Sequence, residues 1–226
     1  MVKVFSFCLY GSNPKYTTGV IENIKIINEK FPEWFTYVYY DDVPENILDE
    51  IKTYNNIELL KSNYTGAKTM LDRFKPIDNK DVEIMMVRDV DSRIHNRDIW
   101  AIKSFIKSDK QFHIIRDHKW HTALVMGGLW GIKQGLLKFN IENDISKYCD
   151  RWPNQQQVDQ IYLINFLYPE IKNHTLIHGI LKMDDDEDII PFPCPIKDYD
   201  FCGQVIDYYT NGVPYKVFDE SGFKKN

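Results

Sequence analysis

Val82-Glu-Ile-Met-Met-Val-Arg-Asp-Val-Asp91 decides the fold. Val82 to Val87 is the most continuous apolar run in the chain, and such a run suits a central strand of a parallel sheet, buried on both faces. Two carboxylates follow, Asp89 and Asp91. Residues two apart on extended chain face the same side, so both acids can look into one small site while Val90 points away. In open α/β sheets, ligand sites gather at the carboxyl ends of the strands.

Towards the N-terminus, Val2 to Leu9 reads as a strand. Gly11-Ser-Asn-Pro14 punctuates it, and Val20, Ile21, Ile24, Ile27 and Phe31 then recur at helical spacing over Lys15 to Phe31. Phe35 to Tyr40 is a second strand and Pro44 opens a helix through Ile51, where a missing N–H costs nothing. Ile57 to Leu60 is a third strand, and Gly66 to Phe74 is helical and closed by Pro76.

Towards the C-terminus, Asn96 caps a helix to Lys107, Phe112 to Ile115 is a strand, and Lys133 to Tyr148 and Gln155 to Leu167 are helices. Strand and helix alternate over residues 1–120, which predicts a Rossmann-like nucleotide-binding half. A second half covers 121–183. Residues 184–226 begin at the acidic run Asp184-Asp-Asp-Glu-Asp188 and continue through Pro191, Pro193 and Pro195, a composition that predicts a wrapping tail of loops and short strands. The expectation is one α/β domain over 1–226, without internal repeats.

Composition narrows the function. The 226 residues carry 28 basic and 33 acidic side chains, a net charge of -5, so the clustered Lys and Arg that a nucleic-acid backbone requires are not supplied. Cys8, Cys149, Cys194 and Cys202 are widely spaced with no C-x-x-C, and read as reduced thiols, most of them buried. No window approaches the ~20 apolar residues of a membrane helix. A soluble, cytoplasmic protein is expected.

Two anionic oxygens at a strand end suit a hard divalent cation, Mg²⁺ or Mn²⁺, which keeps open positions for phosphates and can bridge protein to a nucleotide diphosphate. The other reading of Asp89-Val90-Asp91 is a strand-end turn with solvated acids. Arg88 and Arg93 flank the pair, either neutralising it or facing phosphate.

The ordered set Val4-Phe-Ser-Phe-Cys-Leu-Tyr-Gly11, Asn13-Pro-Lys-Tyr16, Arg88-Asp-Val-Asp-Ser-Arg93, Phe112-His-Ile-Ile-Arg-Asp-His118 and Met126-Gly-Gly-Leu-Trp-Gly131 resembles the small GT-A-type glycosyltransferases, in particular those of large DNA viruses that glycosylate capsid proteins. The resemblance covers most of residues 1–180. It implies a GT-A fold with a mixed, mostly parallel central sheet flanked by helices, and metal-dependent transfer of a hexose or deoxyhexose from a UDP-sugar to a hydroxyl of a glycan or glycoprotein. Residues 121–183 would then be the sugar and acceptor half.

It also implies roles. Asp89 and Asp91 match the family's D-x-D, with His178 completing the metal shell and Lys182 neutralising the leaving diphosphate, although Ile177-His-Gly-Ile-Leu-Lys182 departs from the commoner H-x-x-G-x-x-K spacing. Phe7, Leu9, Tyr10 and Gly11 would hold uracil and ribose, with Tyr40, Arg73 and Val90 in the same pocket. Asp117, Gly127, Gly128 and Trp130 would bind the sugar. Asp159, near a helix start, would take the acceptor proton in an inverting reaction, act on the donor in a retaining one, or simply favour the helix dipole. A phosphatase built on the D-x-D, or a binding module without chemistry, are the rival readings.

Overall fold

The computed structural model describes residues 1–152 and 156–218. Alternation along β1 (Val2–Tyr10) splits its side chains between two cores. Phe5, Phe7 and Leu9 pack with Val20, Ile21, Ile24 and Ile27 of α1 (Pro14–Lys30), while Val4 joins the core on the opposite face. Asn13 caps α1 by accepting a hydrogen bond from the Lys15 N–H at 2.9 Å.

Six further strands complete the body of the sheet: β2 (Phe35–Asp41), β3 (Ile57–Lys61), β4 (Val82–Arg88), β5 (Phe112–Arg116), β6 (Leu129–Lys133) and β7 (Thr175–Gly179). With the two-residue β8 (Ile189–Ile190), their order is β3-β2-β1-β4-β6-β5-β7-β8. Every neighbouring pair is parallel except the two made by β6, which runs against both β4 and β5. β4 is buried on both faces as its apolar run predicts, with Met85 and Val87 in one core and Ile84 and Met86 in the other.

One face of the sheet carries α1, α2 (Glu45–Lys52) and α3 (Asn96–Lys107). The other carries a 3-10 segment (Gly66–Asp78), α4 (Ile141–Arg151) and the run from α5 (Val158–Tyr162) through a π-helical turn (Leu163–Leu167) into α6 (Tyr168–Ile171). The architecture is therefore a single α/β layer sandwich with a mixed, mostly parallel sheet, as expected.

Three local expectations are corrected. The helix expected from Lys133 starts only at Ile141, because Leu129–Lys133 is β6, Gly135 adopts a left-handed φ of 89° and Asn140 supplies the helix cap to the Asn143 N–H at 2.8 Å. The segment after Gly66 winds as a 3-10 helix that runs through Pro76 rather than stopping at it. The cap of α3 is the His95 imidazole, which accepts from the Arg97 N–H, one residue before Asn96. Asn154 and Gln155, at the expected start of the helix to Leu167, lie outside the described residues.

Beyond β8 the tail forms a hairpin of β9 (Ile206–Tyr208) and β10 (Pro214–Lys216). The Ile206 N–H donates to the Asp91 carbonyl at 2.8 Å, which ties the tail to the end of β4. Among the described residues, no helix is long and apolar enough to cross a membrane.

Candidate active site

A cleft of about 410 Å³ opens at the carboxyl end of β4 and is lined by Cys8, Tyr10, Tyr16, Arg73, Asp89, Asp91, Trp120, His121, Gly127, Asp159, Gln160, Phe201 and Phe218, among others. Its floor is an ionic bridge. Arg73, 2% exposed, places one guanidinium nitrogen 2.5 Å from Asp89 Oδ1 and the other 2.9 Å from Asp159 Oδ2. Burial works against the Arg73 charge, yet Asp89 and Asp159 overcome it and hold the guanidinium protonated more firmly than usual.

The loop before β6 lies directly on this bridge. A Cβ built on Gly128 would stand 2.2 Å from Asp89 Oδ2, and one on Gly127 would stand 2.8 Å from Asp159 Oδ2. At Gly128 the Asp89 main-chain nitrogen, 2.7 Å from that Cβ, leaves room for glycine alone, whereas at Gly127 the Asp159 and Arg73 side chains would have to shift. The Gly127 N–H donates to Gln160 Oε1 at 3.2 Å, and its carbonyl accepts from the Trp130 indole at 3.2 Å. Gly127, Gly128, Arg73, Asp89 and Asp159, named separately from the sequence, thus meet at one point.

Asp91 stands apart from that bridge and pairs with Lys15 at 3.1 Å. Burial and the neighbouring charge of Asp89 raise its carboxyl above the ordinary range, against the pull of Lys15. Two mutually repelling carboxylates on the wall of one cleft, offering oxygen donors only, fit a hard divalent cation. Among the described residues, no three His, Cys, Asp or Glu side chains gather as a metal site.

The other expected residues are placed differently. Phe7 and Leu9 are fully buried on the opposite face of β1, and Tyr40, the register partner of Leu9, shares that face under the Lys61 ammonium. The cleft takes Cys8 and Tyr10 instead. Removing a Phe or Leu side chain from such a core would forfeit roughly 1.5–3 kcal/mol of burial. Gly11 turns the chain with a φ of 73°, its N–H donating to the Asp41 carbonyl. Val90 does line the cleft as expected, with its side chain also packed against the α1-side core.

Trp130 offers no face to a sugar, because it is enclosed between Phe112 and Phe74 and holds the Gly127 carbonyl from behind. Asp117 is fully buried and occupied: Arg97 donates to both its oxygens, at 2.5 and 3.0 Å, and the Cys202 N–H donates to Oδ2 at 3.0 Å. His178 is buried on β7, its Nδ1 2.8 Å from His113 Nε2 and its ring edge against Trp100. Burial pushes it down to about 4. It is not gathered with Asp89 and Asp91. Lys182 is exposed and lies outside the cleft lining.

Neither flanking arginine serves the acids. Arg88 is buried in a two-point pair with Asp98, and Arg93 donates to main-chain carbonyls and to the Tyr208 hydroxyl. The work of balancing Asp89 and Asp91 falls to Arg73 and Lys15.

Solved structures share this architecture. Galactosyltransferase LgtC, in complex with donor and acceptor sugar analogs, aligns over 79% of this chain and 73% of its own with a TM-score of 0.52 and 13% identity. S. aureus TarS 1-349 in complex with UDP aligns over 84% and 60% with a TM-score of 0.53 and 12% identity. GlyE of Streptococcus pneumoniae aligns over 78% and 45% with a TM-score of 0.52 and 14% identity, so the chain spans about half of that longer protein. This is the GT-A glycosyltransferase fold.

A glycosyltransferase involved in the glycosylation of the major capsid of PBCV-1 also aligns, at a TM-score of 0.48 and 15% identity, too loosely to bear on the viral resemblance. No family model and no curated protein sequence matches. Within this GT-A chain, several cleft residues escaped sequence reading. Tyr16 sits inside a quoted motif but carried no assigned role, and the same holds for Lys15, which reaches the cleft wall through its ion pair to Asp91. Trp120 and the tail residues Phe201 and Phe218 reach the cleft through tertiary packing that no local pattern announces.

Proposed function

We propose that the chain is a metal-dependent glycosyltransferase that moves a hexose or deoxyhexose from a UDP-sugar to a hydroxyl of a glycan or glycoprotein in the cytoplasm. The observation that carries the reading is the convergence of Asp89, Asp159 and the Gly127-Gly128 backbone on Arg73, beside Asp91, at the end of the central strand. LgtC and TarS, with this fold, were solved with donor and acceptor sugar analogs and with UDP respectively, which supports the substrate class. The four free thiols suit a reducing compartment.

Asp89 and Asp91 would hold the Mg²⁺ or Mn²⁺ ion, whose charge stabilises the departing diphosphate as a Lewis acid. Tyr10 and Tyr16 have near-parallel rings on the cleft wall and offer aromatic surface to a base. Gly127 and Gly128 let the backbone approach the sugar closely. Asp159 has one oxygen committed to Arg73, so its other oxygen is the one that would face the reacting hydroxyl or the sugar. Asp117 and Trp130 serve the same loops from behind, as supports.

A thermal-shift panel of UDP, GDP, CMP and ADP, each with and without Mn²⁺, tests the reading. A ligand at 100 times its dissociation constant stabilises by about 2.7 kcal/mol. The expected result is a shift with UDP that requires Mn²⁺ and disappears in Asp91→Asn, together with slow Mn²⁺-dependent hydrolysis of a UDP-hexose. No shift with any nucleotide would break the reading.

A further inference from the structure

We infer that Lys15 is the cation that receives the diphosphate, and that in the ligand-free protein it is held in reserve on Asp91, the carboxylate a divalent cation must occupy. The inference rests on the glycosyltransferase reading and goes beyond it: neither Lys15 nor Lys182, the lysine expected in this role, is in the cleft lining, but Lys15 reaches the lining residue Asp91 through an ion pair at 3.1 Å.

The two acids of Asp89-Val90-Asp91 are each held by one cation, and the two cations differ in how firmly they are fixed. Arg73 is 2% exposed and bonded to three partners: Asp89 Oδ1, Asp159 Oδ2 and the Arg88 carbonyl. Releasing it would strand Asp159 in a buried position without a counter-charge. Lys15 is 20% exposed and, among the described residues, makes one ion pair, to Asp91 Oδ2 at 3.1 Å; it lies over the Tyr16 ring at 5.1 Å from its centroid and feels a weaker attraction from Asp207. Its ammonium rides on a flexible four-carbon stem that can swing without moving the backbone. Of the two, Lys15 is the one that can leave.

The backbone fixes where it can go. Lys15 is in the first turn of α1, directly after the cap Asn13 and Pro14, and its neighbour Tyr16 lines the cleft beside Asp91. A cation displaced from Asp91 remains tethered at that wall. A divalent cation on Asp91 and an ammonium on the same carboxylate repel each other, whereas a diphosphate attracts both. The lysine therefore opposes metal in the absence of nucleotide and favours nucleotide once metal is bound. Binding of the two ligands is coupled through one side chain.

This predicts opposite signs for one substitution. Lys15→Met keeps the stem and removes the charge; Lys15→Arg keeps the charge. Mn²⁺ binding without nucleotide is read from loss of the free-ion electron paramagnetic resonance signal, and UDP binding at saturating Mn²⁺ by titration calorimetry. Relative to the starting protein, Lys15→Met should bind Mn²⁺ about tenfold more tightly and UDP about tenfold more weakly, each the equivalent of one charge contact. Lys15→Arg should stay near the starting protein in both. A Lys15→Met protein with unchanged or weaker Mn²⁺ binding, or with unchanged UDP binding, overturns the inference and leaves the glycosyltransferase reading standing. Absence of Mn²⁺-dependent UDP binding in the unsubstituted protein overturns both.

Discussion

Arg73 and Asp159 lie 86 residues apart in the chain and meet at 2.9 Å on the floor of the cleft. The contact joins the 3-10 segment to the first turn of α5 on the same face of the sheet, so the site and the packing of the second half depend on the same bond. Removing one partner of a buried pair leaves an unpaired charge, at a cost of about 3–5 kcal/mol. Arg73→Met should therefore lower the free energy of unfolding by that order in urea titration. Asp159→Asn keeps a hydrogen-bonding side chain against Arg73 and should cost distinctly less. Equal costs for the two would show that the pair carries no net buried charge.

Gly128→Ala tests the closeness of the loop to Asp89. The new Cβ would meet both the carboxylate and, at 2.7 Å, the Asp89 main-chain nitrogen, so relief requires moving backbone as well as side chain. Overpacking of this kind costs about 1–3 kcal/mol. The variant should remain folded, melt earlier, and lose the Mn²⁺-dependent response to UDP. Retention of that response would mean that the loop does not set the Asp89 position.

Asp117→Asn separates support from sugar contact. Both Asp117 oxygens are engaged by Arg97 and the Cys202 N–H, and neither is free for a hydroxyl. The substitution should loosen the tail and reduce stability by about 3–5 kcal/mol, as breaking a buried pair does. Its dissociation constant for UDP should change little at temperatures well below the melting point.

Acid should weaken the fold before the carboxylates titrate. Burial pushes His121 and His178 down to about 4, and burial, with the neighbouring His178 and Arg88, holds His113 well below its ordinary value. A base whose folded value is depressed binds its proton more readily when unfolded. Stability is then complete above about pH 6.5 and falls as pH drops from there towards 4, by an amount on the order of 3 kcal/mol for each of His121 and His178. Urea titrations at pH 7.5, 6 and 5 should show this decline, and His178→Gln should make it shallower.

Much of this architecture could be read from residues alone, because β4 is buried on both faces and its apolar run shows it, and because ligand sites of open α/β sheets gather where such strands end. Asp89, Asp91 and Arg73 share one cleft, and Gly127 and Gly128 lie directly against Asp159 and Asp89. What misled was parity and partnership. Phe7 and Leu9 are one pleat out of phase with Cys8 and Tyr10, and the quoted strand contains both sets without marking which faces the ligand. Trp130 reads as a platform until Phe112 and Phe74 are seen to enclose it. The charges of Arg88 and Asp117 look available until Asp98 and Arg97 are found beside them. Pairings across such sequence distances leave no local signature.

The reversal of β6 has a bearing on how such a chain can diversify. Because β6 runs against β5, the connection between them, residues 117–128, leaves and returns at the same end of the sheet, with Ile114 opposite Trp130 at its base. Both of its anchors are strands buried on all sides. Extra length inserted near Trp120, the exposed tip, would cost only about 0.6 kcal/mol for each doubling and would leave the strand register untouched. Lineages of this fold could thus trade one loop tip for another, and with it the surface presented to an incoming molecule, while the aspartates at the end of β4 stay where they are.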